Sequence, residues 1–110
     1  MSERHPHPEA EIKMMLRELW LRHLPTTRER LSLLEKAVAV SGRLDEPLKT
    51  EALWAAHKLA GNLGMFGHNE AGEVACEIEA IFKQDEVVVC SHLSELVQRL
   101  HRMLEPYLIL

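Results

Sequence analysis

The sequence predicts an all-α fold, an antiparallel up-down-up-down four-helix bundle with an additional N-terminal helix, and three observations predict it. Apolar residues recur at three-to-four spacing through most of the 110-residue chain, the period of helices with one buried face. Proline, glycine and capping residues cut that pattern into five segments. No segment alternates as a strand would, except the brief Val87 to Val89. Short links between the segments force sequential helices antiparallel. A hydrophobic content of 46% is enough to bury one core, so residues 1–110 are expected to form a single domain without a linker.

The first helix is expected over 9–24, with Ile12, Met15, Leu16, Leu19 and Trp20 on its buried face and Pro25 closing it. Thr26 and Glu29 stand in capping-box relation and open a second over 26–41, with Leu31, Leu34 and Val38 inward and Ser41-Gly42 as the stop. Asp45 can cap a third over 46–63, where Pro47 is tolerated because first-turn amides lack partners. Gly64 and Gly67 are expected to break it. A fourth spans 69–84, with Ala71, Val74, Ala75, Ile78 and Ile81 on one side. The fifth spans 89–108 on the stripe Val89, Leu93, Leu96, Val97, Leu100, Met103, Leu104 and Tyr107. The opening Arg4-His5-Pro6-His7-Pro8 reads as a flexible end.

Composition removes several classes of function. A net charge of -4 argues against nucleic acid as a partner, because such proteins draw affinity from neutralising phosphates. The longest apolar runs fall far short of the roughly 20 residues needed to cross a bilayer, so no membrane is expected. Cys76 and Cys90 form no CxxC pair and follow no secretory leader, which reads as reduced thiols in a cytoplasmic protein. Seven histidines raise the question of a metal. They fall in no HxxxH, HExxH or Cys-His cluster, so none is expected. His101 and Glu105, four apart, read as a surface pair. The methionines read as core filler.

The third helix is where packing alone stops explaining the residues. Its inward stripe runs through Leu48, Ala52, Ala55, Leu59 and Leu63, and His57 stands about 160° from both Ala55 and Leu59. The imidazole should therefore face outward. Its face is shared with Thr50, Leu53, Trp54, Gly61 and Gly64, not the Lys, Glu and Arg of an ordinary solvated face. Gly61, inside the helix, costs on the order of 1 kcal/mol relative to alanine. Close helix-helix contact would offset that cost, and so would access to the ring by another protein or a phosphoryl group. Trp54, about 60° from His57, sits at the boundary of core and surface. No acid lies three, four or seven residues from His57 on this helix, so the ring lacks the orienting carboxylate of a self-contained triad. A lone nucleophilic imidazole of this kind suits a carrier that relies on its partner for metal and charge stabilisation.

The run Ala56-His57-Lys58-Leu59-Ala60-Gly61-Asn62-Leu63-Gly64-Met65-Phe66-Gly67 resembles the signature of histidine-phosphotransfer domains, whose core reads His-x-Leu-Lys-Gly followed by small residues and a glycine. His57, Leu59 and Gly61 match it. The resemblance continues more loosely through the helix before the motif, the glycine-containing turn and the helix that ends in Ala75 to Phe82. It implies a two-component phosphorelay protein, phosphorylated on a ring nitrogen of His57, that exchanges the group with aspartates of response-regulator receiver domains or takes it from a hybrid histidine kinase. Mg²⁺ then belongs to the receiver and this chain holds no cofactor. The lysine usual three residues after the histidine is Ala60 here. Lys58, and more weakly Lys83, are the candidates to stabilise the phosphoryl group, while Leu53, Trp54, Gly61, Gly64 and Met65 form the access and docking surface. Such a chain is a phosphoryl carrier without turnover chemistry of its own. The rival reading, which Ala60 keeps alive, is a degenerate helical docking module whose histidine is never phosphorylated.

Overall fold

The structure, a computed structural model, describes residues 8–109. Four helices follow one another: α1 (Pro8–Val38), α2 (Glu46–Met65), α3 (Asn69–Phe82) and α4 (Ser91–Leu104), the last tightening into a 3-10 turn over Glu105–Tyr107. Each packs on its neighbour in the chain, and α1 also meets α4, closing a ring around one core. Leu24, Leu31 and Leu34 of α1, Leu59 and Leu63 of α2, Ile78 and Phe82 of α3, and Leu93, Leu100 and Leu104 of α4 fill that core. Helix α4 ends where Pro106, lacking an N–H, cannot continue the ladder.

The expected break at Pro25 does not occur. One 31-residue helix replaces the two predicted over 9–24 and 26–41. An interior proline costs about 3 kcal/mol in helix stability, yet Pro25 is on the exposed side of α1. Trp20, Leu24, Thr27, Leu31, Leu34 and Ala37 are buried along one continuous face, and that burial offsets the lost bond. Thr26 and Glu29 therefore sit inside a helix and cap nothing. The neighbouring Thr27 is buried and donates its hydroxyl to the His23 carbonyl at 3.2 Å. The stripe expected to be buried on the first helix is mostly outside: Ile12, Met15 and Leu19 are exposed, Leu16 is half-buried and only Trp20 is buried. Of the opening read as a flexible end, residues 4–7, His5 and His7 among them, lie outside the described residues, and Pro8 begins α1.

The start of α2 follows the sequence closely, with the Asp45 carboxylate accepting from the Leu48 amide at 2.9 Å and Pro47 in the first turn. Its end differs. Gly64 lies within the helix, and the turn falls to Gly67 alone, at φ 87°. There the His68 amide donates to the Leu63 carbonyl at 2.8 Å and the Gly67 amide to Gly64 at 3.1 Å. This paired closure needs a left-handed residue, which glycine supplies without a steric penalty. At the other end of α2, the link from α1 and the link from α3 to α4 meet. The Leu44 amide donates to the Val87 carbonyl and the Val89 amide to Gly42, both at 2.9 Å, so the brief strand-like stretch forms a single bridge of Arg43 with Val88.

Two histidines are built into the packing. His68 lies between Trp20 and Tyr107, with ring centroids 4.8 Å and 4.5 Å away, while the Trp20 indole donates to the Tyr107 carbonyl at 2.9 Å. Burial lowers the His68 pKa. His23 Nε2 lies 3.2 Å from an Arg30 guanidinium nitrogen and 3.1 Å from the Asn62 amide nitrogen. Burial and the Arg30 charge lower its pKa. His101 turns Nδ1 toward Glu35 of α1, 3.4 Å away, and not toward Glu105.

Lowered folded-state values mean that the unfolded chain binds more protons than the folded one below the ordinary histidine value of about 6.5. Stability contributed by His23 and His68 is therefore full above that value and is lost as pH falls through the two lowered values. The urea midpoint is expected to drop between about pH 7 and pH 5. A His23→Gln, His68→Gln double variant should show a shallower drop.

Candidate functional site

His57 projects from the middle of α2 with its side chain 56% exposed, as its angle to the core stripe predicts. It does not stand alone. Helix α3 packs along α2, with the buried Gly72 at the contact, where a methyl group would sit at ordinary van der Waals distance, 3.5 Å, from the Ala60 carbonyl and the Gly64 amide. That packing brings Glu79 of α3 to the ring, with its Oε2 2.8 Å from His57 Nδ1. Lys83, one turn further on, sets its Nζ 3.3 Å from the same oxygen. Glu79 is only 12% exposed. It is held below the usual carboxylate range first by the His57 hydrogen bond, against the opposing effect of burial, and then by Lys83.

Leu53, Trp54, His57, Glu79 and Lys83 line one shallow cavity of about 170 Å³. The Trp54 indole meets the imidazole edge-on at 5.6 Å between centroids. At 55% exposed, Trp54 is a surface residue and not the rim of the core. Leu53, on the same cavity, is half-buried. Sequence reasoning missed Glu79, because it searched for an acid along the histidine's own helix and the partner comes from the next one. The signal was the pair Glu79 and Lys83, four residues apart, each directly after a buried residue, Ile78 and Phe82.

The remaining candidates are divided. Lys58 lies on the opposite flank, lining a groove with Arg30, Thr50, Glu51 and Trp54, away from the Glu79 side. Gly61, Gly64 and Met65 are exposed and extend the His57 face toward the end of α2. A methyl group placed on Gly61 or Gly64 would meet nothing within 4 Å. Gly72, not Gly61, is the glycine at the helix contact, and packing gives Gly61 no reason to be glycine. Gly61→Ala is expected to stabilise the chain by about 0.8–1 kcal/mol, measured by urea unfolding, while narrowing the approach to the ring.

Among the described residues, no group of three or more His, Cys, Asp or Glu is placed to hold a metal, and no helix is long and apolar enough to cross a membrane. Cys76 and Cys90 are free and exposed. A family model described as Hpt domain matches residues 16–106. Neither a curated protein nor a solved structure was found to match.

Proposed function

Because the chain belongs to the Hpt domain family, a family of phosphocarrier modules of two-component signalling, we propose that His57 is its phosphorylated residue and receives and returns the group through Nε2. The observation that carries this reading is the Glu79 carboxylate on Nδ1. In the neutral ring it accepts from Nδ1–H, which places the lone pair on Nε2, the nitrogen left for a partner. Attack by Nε2 on the phosphorus of a receiver's aspartyl phosphate forms the N–P bond as the P–O bond to the aspartate breaks. The ring keeps its Nδ1 proton and becomes cationic, and Glu79 offsets that charge. Return to another receiver aspartate reverses the same steps.

Lys83 is the cation on this side of the ring. Its stem gives the ammonium reach toward phosphoryl oxygens, while Glu79 anchors it nearby. Lys58, on the other flank, is a second candidate. Leu53, Trp54, Gly61, Gly64 and Met65 form the surface a receiver covers, and the receiver brings the Mg²⁺ that phosphoryl transfer requires. The reading takes the chain as one cytoplasmic phosphotransfer domain with its four helices antiparallel in an up-down-up-down bundle, served by a receiver domain, a hybrid histidine kinase or both. The N-terminal stretch is part of α1 and adds no separate helix.

The test is transfer from labelled, phosphorylated receiver domains with Mg²⁺ to the wild-type chain and to His57→Gln. Acid-labile, base-stable label on the wild type alone supports the carrier. No label on either, across a broad receiver panel, points to the docking-only module that Ala60 keeps alive.

A further inference from the structure

Helix α1 carries an apolar face that the bundle does not cover. From Pro8 to Leu19 no residue is buried, yet Ile12 is 54% exposed, Met15 61% and Leu19 43%. With the half-buried Leu16, these residues fall within about 100° of the helix surface. The face that packs on the bundle, through Trp20, Leu24, Thr27 and Leu31, is centred about 100° further round. The stripe thus points beside the bundle and not into it. A contiguous exposed stripe of large side chains marks a contact surface.

The charges beside the stripe identify its occupant. Glu11 and Arg22 lie on the same flank, within about 20° of each other on the wheel. Two-fold antiparallel packing brings like flanks together. If the helices cross midway between these residues, near Leu16 and Arg17, Glu11 of each copy comes level with Arg22 of the other, while Ile12, Met15 and Leu19 interleave. Glu18 on the same flank is one turn from its own Arg22. We propose that this stripe is a self-association surface, and that a second copy of this chain docks there in antiparallel orientation. The patch is well below the roughly 800 Å² per partner of a standard interface, so the dimer is weak and its population rises with concentration. His57 is on a different helix, and the proposal is independent of the phosphocarrier reading.

Sedimentation velocity of the full chain, from micromolar to several hundred micromolar, tests it. Wild type is expected to pass from monomer to dimer, and Met15→Glu to weaken the dimer by about tenfold or more, with circular dichroism confirming that the variant is folded. Glu11→Arg and Arg22→Glu should each weaken it several-fold, and the double exchange should return it to within about twofold of wild type. A wild-type chain monomeric throughout overturns the proposal and leaves the stripe to another protein or a lipid surface. A dimer indifferent to Met15→Glu overturns it equally. A dimer that Met15→Glu breaks but the charge exchange does not restore overturns the antiparallel arrangement.

Discussion

A His57→Gln chain is expected to take up no phosphoryl group from any receiver that labels the wild type, while unfolding within about 1 kcal/mol of it. The loss is complete because no other described histidine joins an exposed ring to a carboxylate hydrogen-bonded on Nδ1 at 2.8 Å and a lysine beside it. The exposed His92 makes no such bond, and His101 Nδ1 stands 3.4 Å from Glu35. His23 and His68 are packed against other side chains, and His101 faces Glu35. The small effect on stability follows from the surroundings of the side chain. It is more than half exposed and gives up one hydrogen bond, to Glu79, which Lys83 still holds. A glutamine amide can also donate to that carboxylate. Label transfer and urea unfolding on the same preparation check both halves. Retained label on the variant would move the site to another histidine.

Phe82→Ala is expected to cost about 3–5 kcal/mol, the range for a large buried aromatic truncated to a methyl group. Phe82 is fully buried at the end of α3. A domain of this size holds only about 5–15 kcal/mol in all, so the variant should lose a large part of its stability, read as a lower urea midpoint. The same truncation should disturb the site, because Glu79 on the last turn of α3 and Lys83 directly after it flank Phe82 in the chain and depend on its anchoring. Phe82→Leu, which refills much of the space, should lie well above Phe82→Ala in both stability and transfer.

What could be read from the residues alone was whatever depends on one helix. The cap at Asp45, the inward stripe from Ala52 to Leu63 and the outward angle of His57 all follow from periodicity and local hydrogen bonding, and the structure has them. The failures are tertiary. Pro25 carries a local penalty that any sequence rule counts, but burial of Trp20, Leu24 and Thr27 on the far side of the helix outweighs it. The stripe of Ile12, Met15 and Leu19 has the correct period for burial, yet period says nothing of whether a neighbour extends far enough to cover it. Gly61 and Gly72 look alike in sequence. Only the approach of α3 to α2 shows that Gly72 lies at the helix contact and Gly61 on the open face. Glu79 was invisible for the same reason, since its register against His57 is set by that contact.

The bridge between Arg43 and Val88 also bears on cooperativity. It ties the link after α1 to the link before α4 by two backbone bonds. Without it, α1 with α2 and α3 with α4 would be two hairpins joined only by the turn at Gly67 and by side-chain packing, and the end away from that turn could open by itself. With it, separating the hairpins at that end also breaks two main-chain bonds and uncovers Leu44 and Val87, both buried there. The chain is thereby biased to open as one unit. Glu79 then stays in register with His57 until the whole bundle gives way.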